Sequence, residues 1–146
     1  MTLRDEFEAI LPGEETAALA KQAKLFEEFI AEETDAGRFS PDFKPISRKK
    51  ALLHGHCHQK AFAAMGAVEK TLRLVPDLEV ETVASSCCGM AGAFGYQEET
   101  YDISLQMAEA SLLPAVRAES YDSYIVADGT SCRHQIEDGT DRNALH

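Results

Sequence analysis

Basic residues are scarce in this chain: 14 lysines and arginines stand against 25 aspartates and glutamates, a formal charge of -11 over 146 residues. A surface so poor in positive charge repels phosphate backbones and anionic membrane surfaces at long range, so nucleic acid is excluded as an expected partner. Long apolar runs are lacking as well. The opening "MTLRDEFEAILPGEE" carries charges throughout and has no apolar core of signal-peptide length, and no uncharged stretch approaches a membrane span. The expectation is a cytoplasmic protein without an integral membrane segment. Internal repeats and low-complexity segments are also missing. What remains is an ordinary globular composition, 45% hydrophobic, long enough for one cored domain and too short for two.

What the chain does have is four cysteines, Cys57, Cys87, Cys88 and Cys132. In a reducing compartment four thiols point to metal ligation or redox chemistry rather than to structural disulfides. Adjacent residues have α-carbons about 3.8 Å apart, shorter than the usual disulfide separation of roughly 4.4 Å or more. A Cys87–Cys88 bridge would therefore be strained.

Residues 13–34 place Leu19, Ala23, Phe26 and Ile30 four, three and four residues apart, which predicts one amphipathic helix with a solvated acidic face. A proline-containing linker follows. Residues 1–48 are expected to be this helical segment and linker, and residues 49–146 the main domain. There the pattern becomes short apolar runs alternating with helical stretches, the signature of βα units with a parallel sheet. "ALLHG" (51–55), "LEVETVA" (78–84) and "YIVAD" (124–128) read as three strands, the last buried on both faces. A helix with the stripe Ala61, Met65, Val68 and Leu72 follows the first, and Pro76 closes it. After the second strand, Tyr101, Leu105, Ala108 and Leu112 mark a helix that Pro114 kinks or ends. "GTSCRHQIEDG" predicts a last short helix. The fold class expected is α/β, a three-layer Rossmann-like domain with a small, mainly parallel sheet behind an N-terminal amphipathic helix. So apolar a third strand also calls for a neighbour along its edge, either a missing strand or a homodimer contact.

In a parallel sheet every strand-to-helix turn emerges at one edge, where ligands bind. Cys57 follows strand one, Cys87 and Cys88 follow strand two, and Cys132 follows strand three, so all four thiols converge as candidate metal ligands. Histidines accompany them. His56, His58 and His134 read as donors to thiolates, with each histidine on its own more often structural. Orphan amides and dipoles at the starts of the helices after strands one and three should lower thiol pKa there. Gly89, Gly92 and Gly95 lack a β-carbon; either turn geometry alone explains them, or all three let backbone amides approach a bulky cluster, with Gly89 and Gly92 the cofactor-binding candidates. The spacing Gly-x-x-Gly-x-x-Gly does not match a dinucleotide loop, and no Gly-Lys-Ser/Thr follows for a phosphate loop. A Cys–His nucleophile would leave three cysteines unexplained.

Together "HGHCHQKA", "SSCCGMAGAFGY" and "ADGTSCRHQI" resemble the CCG, or cysteine-rich, domain family over about residues 49–137. That domain occurs in heterodisulfide reductase and in the iron–sulfur subunits of glycolate oxidase and anaerobic glycerol-3-phosphate dehydrogenase. The wording is most similar to the C-terminal region of FAD-linked oxidases of the glycolate and D-lactate dehydrogenase type. By position, Cys57 corresponds to the first family cysteine, Cys87 and Cys88 to the pair, and Cys132 to the first of a final Cys-x-x-Cys. Gln135 stands where its second cysteine would be. The resemblance implies an electron-transfer module that relays electrons and does not itself oxidise substrate. It implies an iron–sulfur cluster, with four thiols suited to a [4Fe–4S] cubane or to zinc, and FAD in a further domain or partner chain. Two other readings stay open: a zinc-stabilised interaction module, and a thiol redox enzyme using Cys87 or Cys88.

Overall fold

The computed structural model describes residues 2–85 and 87–146. Ser86, inside the "SSCCGMAGAFGY" motif, lies outside the described residues. The chain divides into two compact units, one ending at Pro41 and the other starting at Asp42.

The first unit holds three helices, α1 (Glu6–Ile10), α2 (Glu14–Gln22) and α3 (Phe26–Asp35). The helix expected over 13–34 is thus two helices. The apolar stripe runs straight through the break, but Ala23 and Leu25 are extended, with ψ of 117° and 156°. Polar partners stabilise the interruption. Arg4 Nε donates to the Ala23 carbonyl at 2.6 Å, and Glu28 Oε2 accepts from the Leu25 N–H at 2.8 Å. Arg4 and Glu28 also form an ion pair at 2.7 Å. Of the expected stripe Ile30 is buried, whereas Phe26 is 70% exposed.

The second unit is an α/β domain. Strands β1 (Lys50–His54), β2 (Glu79–Thr82) and β3 (Ser123–Ala127) form an all-parallel sheet in the order β2-β1-β3. Leu52 is opposite Glu81 on one side and Ile125 on the other. Helices α4 (Cys57–Ala61) and α5 (Met65–Leu72) connect β1 to β2. Helices α6 (Tyr101–Glu109) and α7 (Leu112–Ala118) connect β2 to β3, and α8 (Thr130–Gly139) follows.

Strand alternation divides the core between two faces. Leu52 and Ile125 pack with Leu112, Val116 and Ile136 from α7 and α8. Ala51, Leu53, Val80 and Val126 pack with Val68 from α5. Each large aliphatic side chain so buried stabilises the fold by about 1.5–3 kcal/mol. Cys88, Met90 and Cys132 belong to the first cluster.

The stretch after β1 breaks where one helix is expected: Ala63 takes a φ of +55°, and Ala61 is exposed while Ala64 is buried. Met65 and Val68 keep their stripe, so periodicity again runs across the break. Helix α6 ends before Pro114, which sits in the first turn of α7, where no intrahelical bond to its missing N–H is lost. The neighbour that β3 calls for is Leu145, which forms a parallel bridge with Val126. Leu145 N donates to the Ile125 carbonyl and Ala127 N to the Leu145 carbonyl, both at 2.8 Å. This intrachain contact removes the ground on which a homodimer was expected. Among the described residues, no helix is long and apolar enough to cross a membrane.

Candidate metal centre

The parallel order places the carboxyl ends of all three strands at one edge, and every cysteine lies there. Cys57 is the first residue of α4, Cys87 and Cys88 are in the loop leaving β2, and Cys132 is in the first turn of α8. None of the four forms a disulfide, and burial splits them: Cys88 and Cys132 are buried, Cys57 and Cys87 half-buried.

Cys132 Sγ donates to Cys88 Sγ at 3.2 Å. His54, the last residue of β1, joins them, and its ring nitrogen and the two sulfurs all lie within 4.8 Å of one another. Alternation explains its direction, since His54 shares the face of Leu52, against which Cys88 and Cys132 pack. His54 Nδ1 is 2.9 Å from Ser85 Oγ, while Nε2 is buried with no hydrogen-bond partner among the described residues.

Electrostatics differ among the thiols. The Cys132 hydrogen bond, with help from the Met90 backbone N–H, outweighs burial and holds Cys88 down to about 4. Cys132 is pushed far up, first by keeping its proton on Cys88 and then by burial. Burial, then Cys87, raises Cys57. The expectation that helix starts lower the thiols of Cys57 and Cys132 is therefore overturned: the lowered thiol is on the loop after β2. In the five-residue α4 the amide dipoles are too few and partly used. The His58 N–H donates to His56 Nδ1 at 3.3 Å, and the His56 N–H to Gln59 Oε1 at 2.9 Å.

The other expected residues are placed as follows. His56 caps α4, and burial, then the neighbouring His58, lowers its pKa. His58 is exposed, edge-on to His56 at 5.3 Å. His134 is exposed on α8, with Nδ1 2.6 Å from the Tyr96 hydroxyl. Gly89 has a φ of +90°, and a β-carbon there would lie 2.1 Å from the Ser104 carbonyl oxygen. Gly92 has a φ of +70° with open space at the β-carbon position. Gln135 is buried, and its Nε2 donates to Ser104 Oγ at 3.1 Å and to the Ser104 carbonyl at 3.2 Å.

Two residues at this edge escaped sequence reasoning, and a third, His54, stood out only as a histidine within three residues of a cysteine. His54 was legible from its parity with Leu52 at the end of a buried strand. Gly129 directly follows the third strand motif; a β-carbon there would meet His56 Cδ2 at 2.5 Å and Cys132 Sγ at 2.9 Å. Gln59 is buried, accepts from His56 and donates to Asp128, tying the start of α4 to the loop that carries Cys132. No local sequence signal marks it.

Residues 51–137, more than half of the chain, match the family described as cysteine-rich domain. The chain belongs to the cysteine-rich domain family. This cysteine-rich domain is 31% identical over 144 residues to one of the subunits of the anaerobic glycerol-3-phosphate dehydrogenase of Escherichia coli K12, covering 99% of the chain and 35% of that protein. It is 29% identical over 108 residues to D-2-hydroxyglutarate dehydrogenase of Pseudomonas putida KT2440, covering 73% of the chain and 10% of that enzyme. The D-2-hydroxyglutarate dehydrogenase of E. coli K12 is 28% identical over 136 residues, 92% of the chain and 12% of the enzyme. The cysteine-rich domain thus spans about a third or less of these curated relatives. No solved structure matches it. A buried histidine with one ring nitrogen lacking a hydrogen-bond partner among the described residues, grouped with two thiols, is a donor set that fits a metal.

Proposed function

We propose that the chain is a metal–thiolate electron-transfer domain, carrying an iron–sulfur cluster of the [4Fe–4S] type. It works with a flavin-binding domain or subunit of an FAD-linked 2-hydroxy-acid oxidoreductase of the glycolate or lactate kind. The observation that carries this reading is the delivery of all four cysteines to one edge of a parallel sheet, two of them in the core. The relatives, all dehydrogenases or parts of one, support a redox role.

Cys57, Cys87, Cys88 and Cys132 would hold the metal centre, which when bound supplies one-electron exchange. The lowered Cys88 thiol already offers a thiolate near neutral pH. Burial of Cys88 and Cys132 keeps water from the inner side, and Gln59 holds the start of α4 against the Cys132 loop. Gly89 and Gly92 supply backbone turns around the paired cysteines, and His56, His58 and His134 line the outer side. The domain hands electrons from the flavin to an acceptor and oxidises no substrate itself.

Anaerobically purified protein should be brown, with broad visible absorbance and with iron and acid-labile sulfide in comparable amounts. Colourless protein free of iron after anaerobic purification and reconstitution would refute the reading. One observation favours a second reading, a zinc-stabilised module: the 3.2 Å approach of Cys88 to Cys132 suits two ligands of a single ion. That reading requires one zinc per chain and a melting temperature that falls on chelation.

A further inference from the structure

His54 is 1% exposed, and its Nε2 has no hydrogen-bond partner among the described residues. Leaving such a group dry and unbonded costs about 1–3 kcal/mol, so a reason for its placement is needed. A ring nitrogen of His54 and the sulfurs of Cys88 and Cys132, which are 3.2 Å apart, lie within 4.8 Å of one another, and with Nδ1 engaged by Ser85 the nitrogen left to meet them is Nε2. Ligand atoms on one tetrahedral ion, with bonds of about 2.3 Å to sulfur and about 2.0 Å to nitrogen, stand roughly 3.5–3.8 Å from each other. The 3.2 Å between the sulfurs and the 4.8 Å limit for the group lie on either side of that spacing.

The other ring nitrogen is already held. Ser85 Oγ lies 2.9 Å from Nδ1, and Lys60 Nζ fixes Ser85 by donating to its carbonyl at 2.5 Å and to its hydroxyl at 3.3 Å. With Nδ1–H donating to Ser85, Nε2 presents a bare lone pair to the thiols, the arrangement by which an outer hydrogen bond orients a metal-binding histidine.

We propose that His54 Nε2 is a metal ligand, forming with Cys88 and Cys132 the buried three-donor seat of the metal centre, to which one thiol of the half-exposed side, Cys57 or Cys87, adds the fourth donor. This rests on the reading that the edge binds metal. A neutral imidazole in place of a thiolate leaves the centre less negative, and His-for-Cys ligation raises the reduction potential of iron–sulfur centres. Ser85 is a positioning residue, acting through His54.

The test uses the whole chain, loaded anaerobically with Co²⁺ as a single-ion probe and separately reconstituted with iron and sulfide, after growth with ¹⁵N-labelled histidine. Pulsed EPR of the cobalt protein should show one directly coupled imidazole nitrogen. That coupling should persist when His56, His58, His134 and His146 are all replaced by alanine, which leaves His54 the sole histidine, and vanish in His54→Ala. Ser85→Ala should weaken cobalt binding about 10–100-fold, and His54→Ala at least as much. Should His54→Ala fail to fold, the sole-histidine variant decides: nitrogen coupling there upholds the assignment and its absence overturns it. Cobalt held without nitrogen coupling in the wild-type protein overturns the His54 proposal and leaves the metal reading standing. A wild-type chain that takes up neither cobalt nor iron overturns both.

Discussion

The inner and outer groups at the cysteine edge have the same chemistry and different physics. Cys88 and Cys132 lie in the main core, in contact with each other and beside His54, and one holds its thiol low while the other keeps its proton. Cys57, at the start of α4, and Cys87, in the loop after β2, are half-buried. Burial therefore decides whether a cysteine at this edge is also part of what holds the fold together. An inner thiol has two duties, packing and ligation, and an outer one has ligation alone.

The sharpest way to break that contrast is through the loop that carries the inner thiol. Gly89→Ala puts a β-carbon 2.1 Å from the Ser104 carbonyl at a φ of +90°. Backbone strain and overlap together should cost about 3 kcal/mol, read as a fall in the urea midpoint of the metal-free protein. Cys132→Ser should come next, at about 2 kcal/mol in the same measurement, because it leaves a hydroxyl in an apolar site. Cys57→Ser should change stability by no more than about 0.5 kcal/mol, although both variants should lose bound metal. Equal costs for the two would erase the distinction between inner and outer thiols.

Gln135→Ala removes both bonds to Ser104 and should cost about 1.5 kcal/mol without lowering metal content. Lost metal there would mean that Gln135 belongs to the inner group. Gly92→Ala, in the same loop as Gly89 but with open space around it, should cost only about 1 kcal/mol, from its left-handed backbone.

The smallest effect is expected at the opposite end of β1, where Lys50 Nζ pairs with Glu81 and Glu119, each at 2.8 Å. Lys50, then the Ser123 hydroxyl, lowers the Glu119 carboxyl. A depressed carboxyl stabilises the fold above its unfolded pKa of about 4.3, and that contribution is lost as pH falls through the folded value. Thermal melts of wild type and Glu119→Gln should differ slightly at neutral pH and converge below the usual carboxylate range. Metal content should stay the same throughout.

Much of this was legible in advance for local reasons. The short apolar runs "ALLHG" and "YIVAD", the alternation in "LEVETVA" and the spacing of the cysteines locate three parallel strands and the edge where the thiols meet, because period and order survive folding unchanged. Helix continuity was not legible. The stripes through Ala23 and through Ala61 remain periodic across breaks that Arg4, Glu28 and the left-handed Ala63 create, and periodicity says nothing of capping groups brought from elsewhere. The role of Gln135 was equally hidden, since its partner Ser104 lies 31 residues away.

By itself the sequence determined that four cysteines would gather at one edge of a parallel sheet, because strand order and turn position are set by local patterns. Only the tertiary structure decided which two enter the core, that His54 stands beside them with a ring nitrogen unbonded among the described residues, and that Cys88 is the thiol held low. Those properties depend on burial and on distances between residues far apart in the chain, and neither exists until the faces of the sheet are covered.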